Sequence, residues 1–321
     1  MGKRCVRALL WLGNLHRGML AIVFAIIGPR LSYRLTGWGS RVLYRLLDPI
    51  RVRSEAQCRA ALDARVPDED IRRIAQQSFV HRVWNLTDLM LASHLLRADT
   101  YQRYGGRIPE PFLGDLQEAQ ERSQPSILLT AYYGSFDLLP VFLGFNGVPA
   151  TVVYLPHANA GFDAYRRRIR GKSGCDMVPL NDAASRLGEV LKDGGTVALV
   201  ADHHVEKRGM PVEFLGLATK ALRSVGLLAW RYEAVVVVAG IRRLDDAFRF
   251  EVVVSDVIHP CEWEAHDDPV AFVTDRYLRA LERLILDDPT QYLWAYARWG
   301  EHQARRATDR LTQERRATQS S

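Results

Sequence analysis

Cysteine is scarce in this chain and carries no pattern. The 321 residues include four, Cys5, Cys58, Cys175 and Cys261, none spaced as a pair. That argues against a disulfide framework and points to a reducing compartment. No CxxC or HExxH spacing is present, so nothing supports a zinc site. Internal repeats and low-complexity blocks are also missing. Acidic residues are nearly absent from the first 53 positions, where Asp48 stands alone against ten lysines and arginines. That segment carries +9 while the whole chain carries +6, which leaves the remainder at −3. A slightly acidic main body argues against a nucleic-acid groove built into it. The basic segment suits anionic lipid instead.

Long uninterrupted apolar runs are lacking too. Gly18–Gly28 is uncharged and rich in large apolar residues (Met19, Leu20, Ile22, Val23, Phe24, Ile26, Ile27). Leu9–Leu12 and Leu15 extend it backwards, but Arg17 interrupts the run. A spanning helix calls for about 20 consecutive apolar residues. Lys3-Arg4 ahead of an apolar run resembles a signal peptide, yet no small-x-small cleavage site follows. The expectation is an anchor lying in the membrane plane or shallowly inserted, with a full span as the alternative.

The chain divides into four parts. Residues 1–53 form a basic, apolar, helical membrane-associating segment. Residues 54–125 form a helical annex. In the annex Pro67-Asp68-Glu69-Asp70 is an acidic helix start, and Ile71, Ile74, Ala75, Ser78, Phe79, Val83, Leu86 and Met90 follow at three-to-four spacing. Residues 126–299 alternate strand and helix, and residues 300–321 form a polar tail with few large apolar side chains.

The organising stretch is Ser126–Asp137. Ser126–Ala131 reads as a short strand buried on both faces. Tyr132-Tyr133-Gly134-Ser135-Phe136-Asp137 then breaks it with a glycine turn, Ser135 being suited to cap a short apolar helix over Leu138–Phe145. Further strands are expected over Ala150–Tyr154, Asp176–Leu180, Thr196–Ala201, Ala234–Ile241 and Phe248–Val254. Helices are expected over Ala158–Arg170, from Asp182 through Leu191, and over Leu222–Tyr232 and Pro269–Leu286. The passage through Gly209 and Pro211 to Phe214-Leu215-Gly216 reads as a loop. This order predicts an α/β fold with a mostly parallel central sheet flanked by helices, its ligand site at the carboxyl ends of the strands.

Chemistry-bearing residues fall at those ends. Tyr132 and Asp137 flank the turn after the first strand. Arg170 closes a helix, and Asp202-His203-His204 ends another apolar strand. The series Tyr132…Asp137, Arg170…Gly174, Gly195…Asp202, Phe214-Leu215-Gly216 and Gln291-Tyr292-Leu293-Trp294 resembles, in order and spacing, the bacterial lipid A biosynthesis late acyltransferases, within the lysophospholipid acyltransferase superfamily. The resemblance implies a glycerolipid acyltransferase-like fold at the cytoplasmic face of the inner membrane. It implies transfer of a fatty acyl chain from acyl carrier protein or acyl-coenzyme A to a hydroxyl of a membrane lipid, such as a lipid A precursor or a lysophospholipid. No metal or other cofactor is implied. It also implies a general base at the position of Tyr132, charged by the acid at Asp137, an oxyanion donor at Arg170 and a site-shaping acid at Asp202.

The family's pattern has histidine where this chain has Tyr132. A phenol, with an ordinary pKa of about 10, is protonated at neutral pH and does not replace imidazole directly. Three readings follow. His203 or His204 supplies the base, oriented by Asp202, with Tyr132 positioning the acceptor. Alternatively the chain is a catalytically silent lipid-binding relative, or Asp202-His203-His204 binds a metal.

Overall fold

The computed structural model describes residues 20–62, 65–110, 112–205, 209–296, 298 and 299. The polar tail and the first 19 residues of the basic segment lie outside the described residues. Residues 20–27 are helical, and Gly28, at φ +80°, turns the chain into α1 (Pro29–Leu46). α2 (Asp48–Leu62) and α3 (Asp68–Leu95) follow, the last with Asp68, Glu69 and Asp70 in its first turn, where carboxylates favour the helix dipole.

The burial of α1 is inverted. Its inner face is small or hydroxylated: Ser32, Tyr33, Gly37, Ser40 and Tyr44 are buried. Leu31, Leu35, Trp38, Val42 and Leu46 recur at three-to-four spacing on the outer side, with Trp38 69% and Leu46 73% exposed. Among the described residues no helix is long and apolar enough to cross a membrane.

After α4 (Phe112–Glu121) the chain builds a six-stranded sheet. Its strands are β1 (Ser126–Thr130), β2 (Thr151–Tyr154), β3 (Asp176–Pro179), β4 (Thr196–Val200), β7 (Val235–Arg243) and β8 (Phe250–Ile258), in the order β3-β2-β4-β1-β7-β8. Every pairing is parallel except β7 with β8. Between the strands run α5 (Leu139–Phe145), α6 (Ala160–Arg170), α7 (Ala183–Lys192) and α8 (Arg223–Tyr232). α9 (Pro260–Trp263) and α10 (Pro269–Asp287) follow β8. The mostly parallel α/β sheet read from the sequence is therefore the fold.

All five residues of β1 are buried, as a strand covered on both faces requires. Ile127 and Leu129 pack with Leu187 and Leu191 of α7, Ala229 of α8 and Leu278 and Leu281 of α10. Leu128 packs on the other side with Leu91 of α3, Leu116 of α4, Phe142 of α5 and Ile169 of α6.

Four local readings are corrected. The passage around Pro211 is not a loop but a hairpin of β5 (Met210–Phe214) and β6 (Leu217–Ala221), antiparallel and separate from the main sheet. Leu215 and Gly216 both hold positive φ, the signature of a tight two-residue hairpin turn. Ser135 caps no helix; its hydroxyl donates to Asp88 at 2.6 Å, and a single 3-10 turn (Phe136–Leu138) intervenes before α5. Asp182 precedes α7 without a capping bond from its side chain. Strand β8 also runs four residues beyond Val254, to Ile258.

Candidate active site

The turn after β1 is held from two sides. Gly134 has φ +55°, and a Cβ there would lie 1.8 Å from the Ile241 carbonyl oxygen, so only glycine fits. Its N–H donates to the Gln291 carbonyl at 3.0 Å, and the Leu293 N–H donates to the Tyr132 carbonyl at 3.0 Å. The Gln291–Trp294 motif is thus a backbone clamp on the turn. The Gln291 side chain locks that clamp to β7, accepting from the Arg243 N–H at 2.8 Å and donating to its carbonyl at 2.9 Å. Trp294 and Trp299 are fully buried and fill the core.

The clamp aims Tyr132 at the end of β4. The Tyr132 hydroxyl lies 2.9 Å from Nε2 of His203, and Nδ1 of His203 lies 2.9 Å from the Val200 carbonyl. A carbonyl oxygen only accepts, so Nδ1 carries the hydrogen. In the neutral ring Nε2 is then the acceptor and the phenol the donor. Burial first, and then Asp202, push the Tyr132 phenol above its ordinary range, so the phenolate is disfavoured. Phe136 and Tyr296 pack on the Tyr132 ring at centroid distances of 5.1 and 5.3 Å.

The acids do not sit where simple orientation of an imidazole would put them. Asp202 is fully buried, and both of its carboxylate oxygens lie 3.3 Å from the Tyr132 N–H, which donates to them. It does not hold the His203 ring; Val200 does. Burial raises the Asp202 carboxyl above the usual range, opposed by the charges of His203 and Arg298. Asp137 pairs with Arg170 and, at 3.2 Å, with Arg166. The Arg170 side chain is buried, and its Nε–H has no partner among the described residues. Burial pushes its guanidinium down to about 10, which leaves it charged at neutral pH. His204 donates its backbone N–H to the Tyr296 hydroxyl at 3.3 Å, and its buried Nδ1 has no partner among the described residues.

A cavity of about 530 Å³ opens onto Tyr132, Arg166, Arg170, His203 and His204. Most of its wall is apolar, from Phe136, Leu139, Val152, Ala198 and Leu222 among others. Its shape follows from the sheet. Strands β2 and β4 pair at only two positions, Thr151 with Val197 and Val152 with Ala198. Beyond them the strands part, and residues of both faces (Val152 and Ala198, then Val153 and Leu199) line one space.

The structure thus gathers Tyr132, Arg170, His203 and His204 around one cavity, with Asp137 behind Arg170 and Asp202 directly behind Tyr132. Of the arginine run at the end of α6, Arg166 turns inward, Arg167 pairs with Asp163 at 3.3 Å and Arg168 is exposed. Sequence reading missed Arg298. It is fully buried and donates to the carbonyls of His203 and, at 3.3 Å, Lys220. A lone arginine between Tyr296 and Trp299 was its only signal. Among the described residues no group of three or more His, Cys, Asp or Glu is placed to hold a metal.

Comparison with curated proteins returns no match. The family model for bacterial lipid A biosynthesis acyltransferases matches residues 101–301, more than half of the chain and the whole of the sheet and turn described above. The chain belongs to the bacterial lipid A biosynthesis acyltransferase family.

Proposed function

We propose that the protein transfers a fatty acyl chain from a thioester, carried by acyl carrier protein or coenzyme A, to a hydroxyl of a membrane lipid such as a lipid A precursor or lysophospholipid, with Tyr132 and His203 acting as one proton-transfer unit. The observation that carries this reading is the 2.9 Å contact between the Tyr132 hydroxyl and Nε2 of His203 at the mouth of an apolar cavity. The acceptor oxygen attacks the thioester carbonyl carbon. Its proton passes to the Tyr132 oxygen while the phenolic proton passes to His203 Nε2. No phenolate forms, which suits a phenol whose ionisation is disfavoured. Collapse of the tetrahedral intermediate breaks the C–S bond. The imidazolium returns its proton through Tyr132 to the leaving sulfur, giving ester and free thiol.

Arg170 is suited to the oxyanion. Asp137 anchors one end of its guanidinium, and the unpartnered Nε–H remains as a fixed donor beside the cavity. The acyl chain is assigned to the apolar space between the parted ends of β2 and β4. Residues 1–53, at the cytoplasmic face of the inner membrane, would bring the site to its acceptor.

The direct test is incubation of the detergent-purified chain with labelled acyl-carrier-protein and coenzyme A thioesters and extracted lipids. Labelled lipid ester, lost in the His203→Ala variant, supports the reading. Wild-type protein that is inactive with every donor, yet gains transfer in Tyr132→His, marks a silent lipid-binding relative instead.

A further inference from the structure

At the kink of the first helix lies a second cavity, about 660 Å³, which the chemistry above does not use. Three separate elements bring arginines to it: Arg30 and Arg34 from α1, Arg103 from the 3-10 turn Tyr101–Tyr104, and Arg249 from the end of the β7–β8 hairpin. Asp245 and Asp246 also line it. Asp245 is occupied by the Arg249 guanidinium and by the Ala247 N–H at 2.9 Å, so these two opposite charges answer each other. That leaves Arg30, Arg34 and Arg103 against Asp246, and none of the three arginines has an ion pair among the described residues. Many surface arginines elsewhere are paired, as Arg51 is with Asp48, Arg73 with Asp70 and Arg122 with Glu118. The start of α1 also faces this space, with no acidic residue in its first turn and no side chain capping it.

The surroundings specify what the cations meet. The cavity is bounded by Ile27 and Pro29, and the outward apolar row of α1 begins at Leu31, one residue beyond Arg30. With 3.6 residues per turn, Arg30, Arg34, Arg41 and Arg45 form a second row along one flank of that apolar row. A helix with an apolar outer row and cations along its flank fits the headgroup layer of a bilayer, lying in its plane. We propose that the cavity at the Gly28 kink binds the phosphate of an anionic membrane lipid, held by Arg30, Arg34 and Arg103 while Leu31, Leu35 and Trp38 enter the acyl layer. The proposal rests on the acceptor being a membrane lipid. Its test reads binding rather than turnover, so its failure is separate from failure of the acyl-transfer chemistry.

The test is flotation of the full chain with vesicles of phosphatidylcholine alone or mixed with phosphatidylglycerol. The parent binds the mixed vesicles more tightly. The double substitution Arg30→Gln with Arg34→Gln weakens that binding by at least about tenfold, and Arg103→Gln, on a different element, by about fivefold. Binding to phosphatidylcholine alone stays unchanged. Arg103→Lys, which keeps the charge, retains most of the parent's affinity and guards against a folding defect in Arg103→Gln. Arg41→Gln with Arg45→Gln removes the same charge from the same helix away from the cavity, and loses visibly less. Equal losses in the two double variants, or no loss in Arg103→Gln, would overturn the site in favour of diffuse charge. Millimolar inorganic phosphate is expected to leave the parent's melting temperature unchanged. A rise that disappears in Arg103→Gln would mark a free-anion site and overturn the lipid assignment.

Discussion

Two buried aspartates sit close to the same turn and behave differently. Asp88, from α3, is wholly enclosed. It accepts from the Tyr33 hydroxyl, the Ser135 hydroxyl and the Arg243 guanidinium, and neither Asp88 nor Arg243 has any exposed side-chain surface. Arg243 also donates to Asn85 at 3.0 Å and meets His81 Nδ1 at 2.6 Å, and the rings of Tyr33, Trp84 and Phe250 enclose it within 6.0 Å. Burial, and then the charge of Arg243, hold the His81 ring well below its ordinary range, so it stays neutral. Asp137 has two arginine partners, but one of them keeps an N–H free beside a cavity. The Asp88–Arg243 pair, whose own Nε–H is unpartnered among the described residues but sealed among those rings and away from the cavity, ties α1, α3, β7 and the turn into one body. The Asp137–Arg170 pair borders the cavity through Arg170, where a free N–H can meet a charge that forms during a reaction.

Breaking the proton-transfer pair should have the largest effect. His203→Ala is expected to lower acyl transfer by about 10³-fold, within the usual span for a general base. Tyr132→Phe should cost less, since a water can bridge substrate and His203. Neither change should move the thermal midpoint much, because both side chains border the cavity. Turnover assays alongside thermal unfolding check this. Full activity in His203→Ala would return the base to another group.

The enclosed pair should show the reverse. Asp88→Ala leaves Arg243 charged and buried, and is expected to destabilise the protein by about 3–5 kcal/mol. Ser135→Ala, which removes one neutral donor to that carboxylate, should cost only about 1–2 kcal/mol. Chemical denaturation in detergent measures both. If Asp88→Ala were as stable as the parent, the network would have no structural role.

Arg170→Ala sits between the two. Loss of one oxyanion donor costs about 3–4 kcal/mol of barrier, or a few-hundred-fold in rate. It also leaves Asp137 with Arg166 as its remaining partner, so stability should fall less than in Asp88→Ala. A turnover number equal to the parent's would assign Arg170 to structure alone.

These contrasts also explain how far the sequence could be read. The parallel sheet was legible because Ser126–Ala131 and Thr196–Ala201 are uncharged, mostly apolar runs, and runs of that kind are strands covered on both faces. The gathering of Tyr132, Asp137 and His203 was legible because strand ends share one edge, whereas Arg170 ends a helix, α6, and its place beside them rested on the resemblance. What stayed hidden depends on contacts distant in sequence. Ser135 looks like a cap because local pattern favours it, yet Asp88, 47 residues earlier, takes its hydroxyl. Asp202 looks like the orienter of its neighbour His203, yet the backbone of Val200 has that role. The β5–β6 hairpin was masked by Pro211, which an edge position tolerates.

The smallest expected effect concerns the parting of β2 from β4. Ala198 belongs to the core on one face of the sheet, while Leu199 packs against the core on the other, and both line the cavity. If the acyl chain passes between the strands, side chains of both faces limit its length. Ala198→Val narrows the gap where pairing ends, and should shift donor preference toward shorter chains. Leu199→Ala widens it beyond, and should shift preference toward longer ones. Each methylene admitted or excluded corresponds to about 0.8 kcal/mol, or roughly fourfold in relative kcat/KM. Competition between donors of graded length measures the ratio directly and is insensitive to a general loss of activity. Shifts in opposite directions place the chain through the sheet. A shift in one variant alone confines the chain to that face, and no shift in either removes the space between β2 and β4 from the substrate path.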